Sequence, residues 1–390
     1  MTPDHLARLT KLRQHLHSFP EVSGFEEKTS HYVTGYLSKY HPDKLITQLG
    51  GHGVAAVFEG KAQGPTVLFR AELDGLPIPE QSDKPYRSQH DGCGHLCGHD
   101  GHMTMVLALA EELAENRPES GRVVLLFQPA EETGQGAAAV VADPQFCEIT
   151  PDYAFSLHNV PGLASGKTAL SVGPANCASR GVKITLNGRT SHAAAPQDGL
   201  SPARAISQLM SELVALGNES APLNEDYALV TLTHVQLGEP TFGVAPGVGT
   251  LWVTLRTVSD ARMARLVSNV EQRVVEVAQA EELTVTLNFD DIFAACDNNI
   301  DASDILKNAA FTAGYDMDLW DVPQRWSEDF GVFGQGAKSA MYWLGSGEAQ
   351  PQLHNPDYDF PDEILPVGIT IFRQIIQDLL KPGDAGAHLP

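Results

Sequence analysis

Residues 123–137 read VVLLFQPAEETGQGA: an unbroken apolar run, then a proline, two adjacent glutamates and a glycine-rich turn. An apolar run without polar alternation marks a strand buried on both faces, as in a parallel sheet covered by helices. Working outward, GVAAVFEG (53–60), TVLFRAELD (66–74) and YAFSLH (153–158) have the same character. Between the second of these and residue 123 lies MTMVLALAEELAEN (103–116), which reads as an apolar-periodic helix. Near the N-terminus, Thr2-Pro3 is a cap followed by proline at the first helical turn, so a helix is expected over 3–17, with a second over about 26–41. Strands alternating with helices predict an α/β domain with a mixed, mostly parallel sheet covered by helices.

The middle of the chain changes pattern. SRGVKITLNG (179–188) alternates Val182, Ile184 and Leu186, and SPARAISQLMSELVALG (201–217) is helical. YALVTLTHVQLG and GTLWVTLRTV are strands, DARMARLVSNVEQRVVEVAQAEE is a long helix, and LTVTLNFDDIF is a last strand. The order β-α-β-β-α-β is that of a ferredoxin-like α+β unit. Residues 177–291 are therefore expected to form a domain inserted into an α/β domain made of 1–176 and 292–390. The tail KPGDAGAHLP (381–390) is expected to be disordered.

With 390 residues, two domains are expected on length alone. The net charge of −23 argues against nucleic acid or an anionic membrane as partner. No apolar run is long enough to span a bilayer, and MTPDHLARLTKLRQHLHSFPE lacks the features of a signal peptide. Five cysteines spread along so long a chain make a poor disulfide framework, so a reducing cytoplasm is the expected compartment.

Chemistry concentrates in DGCGHLCGHDGHM (91–103). In an extended segment Cys97 and His99 project from one face, and a thiolate and an imidazole so placed suit zinc or another borderline metal. Cys93 and His95 continue the alternation. Two readings stand at this point: a closed Cys2His2-like structural site, or a catalytic site that recruits ligands from elsewhere. Elsewhere supplies them. The strand at 123–128 delivers Glu131 and Glu132 past its end, TVLFRAELDGLP ends in Glu72 and Asp74, and YAFSLHNVPG ends its strand with His158. His354 follows the strand-like SAMYWLG in a Gly/Pro-rich loop. In open α/β sheets, sites form at that edge.

Five stretches in order, LRQHLHSFPEVSGFE, RAELDGLP, CGHDGHM, FQPAEETGQGA, and SEDF followed by LHNP, resemble the amidohydrolase branch of peptidase family M20. That branch holds N-acyl-amino-acid, hippurate and auxin-conjugate hydrolases. The inserted unit is similar to the family's lid domain. The resemblance implies a centre of two divalent metal ions per subunit held by Cys97, His99, Glu132, His158 and His354. Zinc or manganese are the leading ions, with cobalt or nickel as further choices. Glu131 would be the general acid/base, its pKa raised towards ~6–7, with Asp74 orienting the site from behind and His192 (TSHAAAP) reaching the substrate carbonyl. Two cations about 3.5–4 Å apart can share a water, lower its pKa and polarise an amide carbonyl. Asp100 and His102 belong to the motif without a ligand role; Asp100 could cap a helix beginning near Met103.

Two departures stand out. Glu72 replaces the family's usual aspartate, and GVAP (243–246) replaces NVIP, so Gly243 stands where an asparagine would hold substrate. Arg256 is a candidate to grip a substrate carboxylate. Ser327, Glu328 and Asp329 either support His354 or a hinge from behind, or form a solvated turn. The implied activity is hydrolysis of an N-acyl amino acid or related conjugate to a carboxylic acid and an amine. The alternatives are a dipeptidase or carboxypeptidase of the same family and a catalytically silent metal- and ligand-binding protein. The expected partner is a small-molecule substrate, and a homodimer through the lid domain is expected.

Overall fold

A computed structural model describes residues 1–381 of the chain. The disorder expected for the C-terminal tail falls, from residue 382 on, outside the described residues.

The described chain divides into two compact units. The first comprises Met1–Ala175, Asp297–Asp321 and the chain from Asp329 onward. Its helices are α1 (Pro3–Ser18), α2 (Glu27–Ser38), α3 (His99–Glu115), α4 (Gly136–Ala142), α7 (Ile300–Thr312) and α8 (Leu365–Leu379). Its sheet strands are β1 (Lys44–Leu49), β2 (Gly53–Glu59), β3 (Thr66–Glu72), β4 (Arg122–Gln128), β5 (Tyr153–Pro161), β6 (Thr168–Leu170), β15 (Met317–Leu319) and β16 (Lys338–Gly347). They form one eight-stranded mixed sheet in the order β1-β2-β4-β3-β5-β16-β6-β15. The central pairs β4-β3, β3-β5 and β5-β16 are parallel. Every residue of β3 and every residue of β4 after Arg122 is buried, which is why these segments read as continuous apolar runs. Thr2 caps α1 by accepting the His5 N–H at 3.3 Å, as the sequence suggests.

Strand β3 connects through α3 to β4 on one side, and the chain then returns past β3 to lay β5 on the other. This reversal is a topological switch point. It also opens physically: β3 and β5 pair only over Val67–Phe69 and Tyr153–Phe155, although β3 continues to Glu72. The splayed ends make room for side chains between them.

The second unit comprises Asn176–Cys296 and Val322–Glu328. It contains β8 (Ala178–Asn187), α5 (Ala203–Val214), β10 (Ala228–Leu237), β12 (Val248–Thr257), α6 (Asp260–Ala280) and β13 (Thr284–Phe293). The antiparallel sheet order β10-β12-β8-β13 is the ferredoxin-like arrangement expected from the pattern. A small ladder pairs β9 (Ser191–His192) with β11 (Val244–Ala245). Two short strands, β7 (Gly173–Asn176) and β14 (Cys296–Asn298), lie where the chain passes from one unit to the other. Each unit has its own apolar core, one around Phe69, Leu107 and Phe372, the other around Ile184, Leu251 and Val270.

Candidate metal centre

Three details of the local backbone differ from the sequence expectation. Residues 97–99 are not extended: Gly98 is left-handed (φ 93°) and His99 already opens α3, four residues earlier than Met103. The helix starts early because Asp100 is not its cap. Its side chain instead accepts from Arg13 at 3.3 Å and pairs with His17 at 2.8 Å, all three fully buried. And β5 does not end at His158 but continues to Pro161, so that ligand candidate sits inside a strand, opposite Trp343.

Gly98 answers why glycine recurs beside the candidate ligand side chains. A Cβ there would lie 2.2 Å from Oδ1 of Asn159, which is buried and bonded to His102 and Tyr358. Only glycine tolerates both the positive φ and the close approach.

The structure brings five side chains of the first unit together. Cys97, His99 and His158 offer ligand atoms within 4.8 Å of one another, and so do Cys97, Glu132 and His354. Glu131 joins His99 and Glu132 in a third such group. Cys97 Sγ lies 3.5 Å from His158 Nε2, and His354 Nε2 lies 3.5 Å from a Glu132 oxygen. His99 Nε2 is 3.9 Å from both Glu131 and Glu132.

Supporting contacts aim these groups. His99 Nδ1 donates to the Asp74 carbonyl at 2.8 Å, and His158 Nδ1 donates to the Asn159 carbonyl at 2.9 Å. Each imidazole therefore keeps its Nε2 lone pair for the centre, the tautomer a metal ligand needs. His354 stands on a left-handed backbone (φ 67°), held by its N–H to the Leu96 carbonyl at 2.8 Å. Asp74 accepts the Glu132 N–H at 3.0 Å and the Ser23 hydroxyl at 2.7 Å.

The electrostatics fit a cation. Burial, with the carboxylates of Glu132, Glu131 and Glu72, pushes the Cys97 thiol well above its ordinary range. Burial opposes charge on His99, but the Asp74 hydrogen bond and the charges of Glu72 and Glu132 outweigh it and push the imidazole up to about 10. The field that would hold a proton on His99 would equally hold a divalent ion, whose charge would let Cys97 ionise. Nε2 of His99 is buried without a hydrogen-bond partner. A thiol, imidazoles and carboxylates with such an orphaned nitrogen fit a borderline divalent metal.

Glu72 is buried and pairs with Arg70, and its other oxygen takes His102 Nδ1 at 2.7 Å. Its length relative to aspartate is thus used to reach His102, whose ring lies 4.9 Å from that of His158. Cys93 and His95 are buried but enter none of the candidate ligand groups among the described residues, so the closed Cys2His2-like reading does not hold there. Asp329 accepts from Arg70 at 2.6 Å and from Gln128 and the Ala137 N–H at 2.8 Å. It is a buried anchor rather than part of a solvated turn.

The second unit carries the two remaining candidates. His192 is exposed on β9, and its Nδ1 accepts the Ala194 N–H at 3.0 Å, which leaves the proton of the neutral ring on Nε2. Gly243 neighbours it, its carbonyl accepting from the Ala193 N–H at 3.0 Å. Arg256 is half-buried on β12; its Nη1 donates to Ser327 Oγ at 2.9 Å and to the Arg325 carbonyl at 3.1 Å. One side of its guanidinium thus clips the returning segment Val322–Glu328 within this unit.

Sequence reasoning missed the buried cluster of Arg13, His17, Asp100 and Glu80 behind α3. The signal was present in LRQHLHS, where Arg13 and His17 fall on the same helical face as Leu9 and Leu16.

The family model described as peptidase family M20/M25/M40 matches residues 68–378. An N-acetyl-L-cysteine deacetylase of Bacillus subtilis is 31% identical over 91% of this chain and 85% of its own length. The hippurate hydrolase of Campylobacter jejuni is 28% identical over 95% and 96%. Among solved structures, a putative aminohydrolase from methicillin-resistant Staphylococcus aureus superposes with a TM-score of 0.86 at 24% identity, covering 97% of both chains. A B. subtilis protein described as a dinuclear metal-binding peptidase of the M20 family gives 0.81 at 24% identity, covering 97% of this chain and 99% of its own. A family model that spans residues 68–378 and a relative 31% identical over most of both chains place the chain in peptidase family M20/M25/M40.

Proposed function

We propose that the chain hydrolyses the amide bond of an N-acyl amino acid or a related conjugate, with Cys97, His99, Glu132, His158 and His354 holding two divalent metal ions. As a member of its family it is a hydrolase of amide bonds. The observation that carries the reading is the approach of Glu131 to His99 Nε2, beside a donor set gathered from four separate stretches. When bound, such ions acidify water and polarise the amide carbonyl. Zinc or manganese suits the mixed thiolate, imidazole and carboxylate donors, with cobalt or nickel also compatible.

Glu131 takes the proton of the attacking water and passes it to the leaving nitrogen, which departs as a free amine. Asp74 orients His99 through its carbonyl and Glu132 through its carboxylate. His192, with its proton on Nε2, donates to the oxyanion that forms on the acyl carbon. Arg256 grips the substrate carboxylate with the donors not spent on Ser327 and Arg325. In this reading the inserted unit is a lid and pairs with a second copy, and the enzyme works in a reducing cytoplasm on a small molecule. No helix among the described residues is long and apolar enough to cross a membrane.

Metal analysis joined to a hydrolysis panel tests this. Acetyl, benzoyl and aminoacyl donors on one leaving amino acid separate an acylase from a dipeptidase. The variant Glu131→Gln should retain metal and lose about 10²–10⁴-fold in kcat. Full activity in that variant would remove the mechanism, and tight substrate binding without turnover by the parent would favour a silent binding protein.

A further inference from the structure

The loop from Glu21 to Glu26 packs against the turn that carries the paired glutamates, and the chemistry above does not use it. Glu26 is fully buried. Its Oε1 accepts the Ala130 N–H at 2.8 Å and the Gly24 N–H at 2.9 Å. Its Oε2 is buried with no hydrogen-bond partner. Burial pushes the carboxyl above its ordinary range, and nearby Asp74 adds to the rise. A half-satisfied buried carboxyl costs free energy, so the acceptor it offers must be of use where it stands.

Ala130 is a left-handed non-glycine residue (φ 50°) immediately before Glu131. Such a conformation costs about 1 kcal/mol or more and persists only where its surroundings hold it. Its carbonyl is held too, by the Gly136 N–H at 3.0 Å. On the far side of Glu131, the Glu132 N–H is taken by Asp74 at 3.0 Å. The backbone N–H groups of the two residues that flank Glu131 are therefore each gripped by a buried carboxyl group, that of Ala130 by Glu26 and that of Glu132 by Asp74.

We propose that Glu26 is a positioning residue for Glu131: by accepting the Ala130 N–H it holds the left-handed residue that aims the Glu131 carboxylate. The inference rests on the reading of Glu131 as general acid/base. What Glu26 supplies is an acceptor at a fixed reach, not charge. Glutamine keeps that reach, while aspartate keeps the charge and withdraws the acceptor by one methylene.

The experiment compares Glu26→Gln, Glu26→Asp and Glu131→Gln on the best substrate of the panel. It reads kcat, KM, bound metal per chain and thermal midpoint. Glu26→Asp should lose about 10–100-fold in kcat, the order expected for a catalytic group displaced by about 1 Å. Its KM should stay within about twofold and its metal content unchanged. Glu26→Gln should keep most of the parent kcat. Parent-like turnover in Glu26→Asp, or Glu26→Gln as impaired as Glu26→Asp, overturns the proposal. So does a kcat loss matched by metal loss, which would mark a purely structural role. An active Glu131→Gln would instead sink the functional reading itself, so the two failures are told apart.

Discussion

At Gly98 two constraints meet, a φ of 93° and a Cβ position 2.2 Å from the Asn159 amide. Replacement by alanine should move Asn159 and with it His102, costing about 2–4 kcal/mol. Reduced metal content and a lowered urea midpoint in Gly98→Ala would show it; parent-like values for both would mean the loop relaxes freely. His17 offers a second test. Burial disfavours its charged form, but the charge and hydrogen bond of Asp100 and the contact with Glu80 win, pushing it up to about 9. A histidine raised in the folded state contributes stability that is fully present below its unfolded pKa of ~6.5 and is lost as pH rises through the folded value. Unfolding free energy should therefore fall between about pH 6.5 and 9, by up to about 3 kcal/mol from this group. His17→Gln should flatten that slope in urea titrations across the same range.

The elements place these residues by where they start and stop. Because α3 begins at His99, the ligand candidate and Asp100 sit in its first turn, facing the centre and Arg13 respectively. Because β3 and β5 part after Phe69, Glu72 and His158 face a gap rather than each other's backbone. Below the gap, Arg70 on β3, Gln128 on β4 and Ala137 on α4 all converge on Asp329. Asp329→Ala would leave the Arg70 guanidinium buried and short of one partner, a loss of about 3–5 kcal/mol. A loss of unfolding free energy under about 1 kcal/mol in urea titrations would show that the remaining partners of Arg70, Glu72 and Gln128 among them, compensate. The apolar runs made β3, β4 and β5 legible, since burial on both faces leaves few other readings. The start of α3 was not legible: CGHDGHM lacks apolar periodicity, and what makes Asp100 helical is its long-range pairing with α1.

Across the described residues, the two units have separate cores, and Cys97, His99, Glu132, His158 and His354 all lie in the first. A chelator should therefore lower the thermal transition of the first unit and leave that of the second in place. Scanning calorimetry with and without chelator would resolve it; one transition moving as a whole would mean the units unfold as one. The donors come from residues as far apart as 97 and 354, so removing the ions should also release a cluster of carboxylates to repel one another. A stabilised metal-free form would contradict the centre.

From its residues alone, this chain determined its sheet-forming runs, the pattern of its ferredoxin-like unit and which stretches carry side chains of metal-ligating chemistry. Those follow from local periodicity and donor chemistry, which act over a few residues. Only the tertiary structure decided that Gly98 must be glycine, that Asp100 belongs to a buried ion cluster, and that Glu26 braces the residue before Glu131. Each of these depends on groups tens to hundreds of positions away, and a contact of that kind leaves no periodic trace in the chain that makes it.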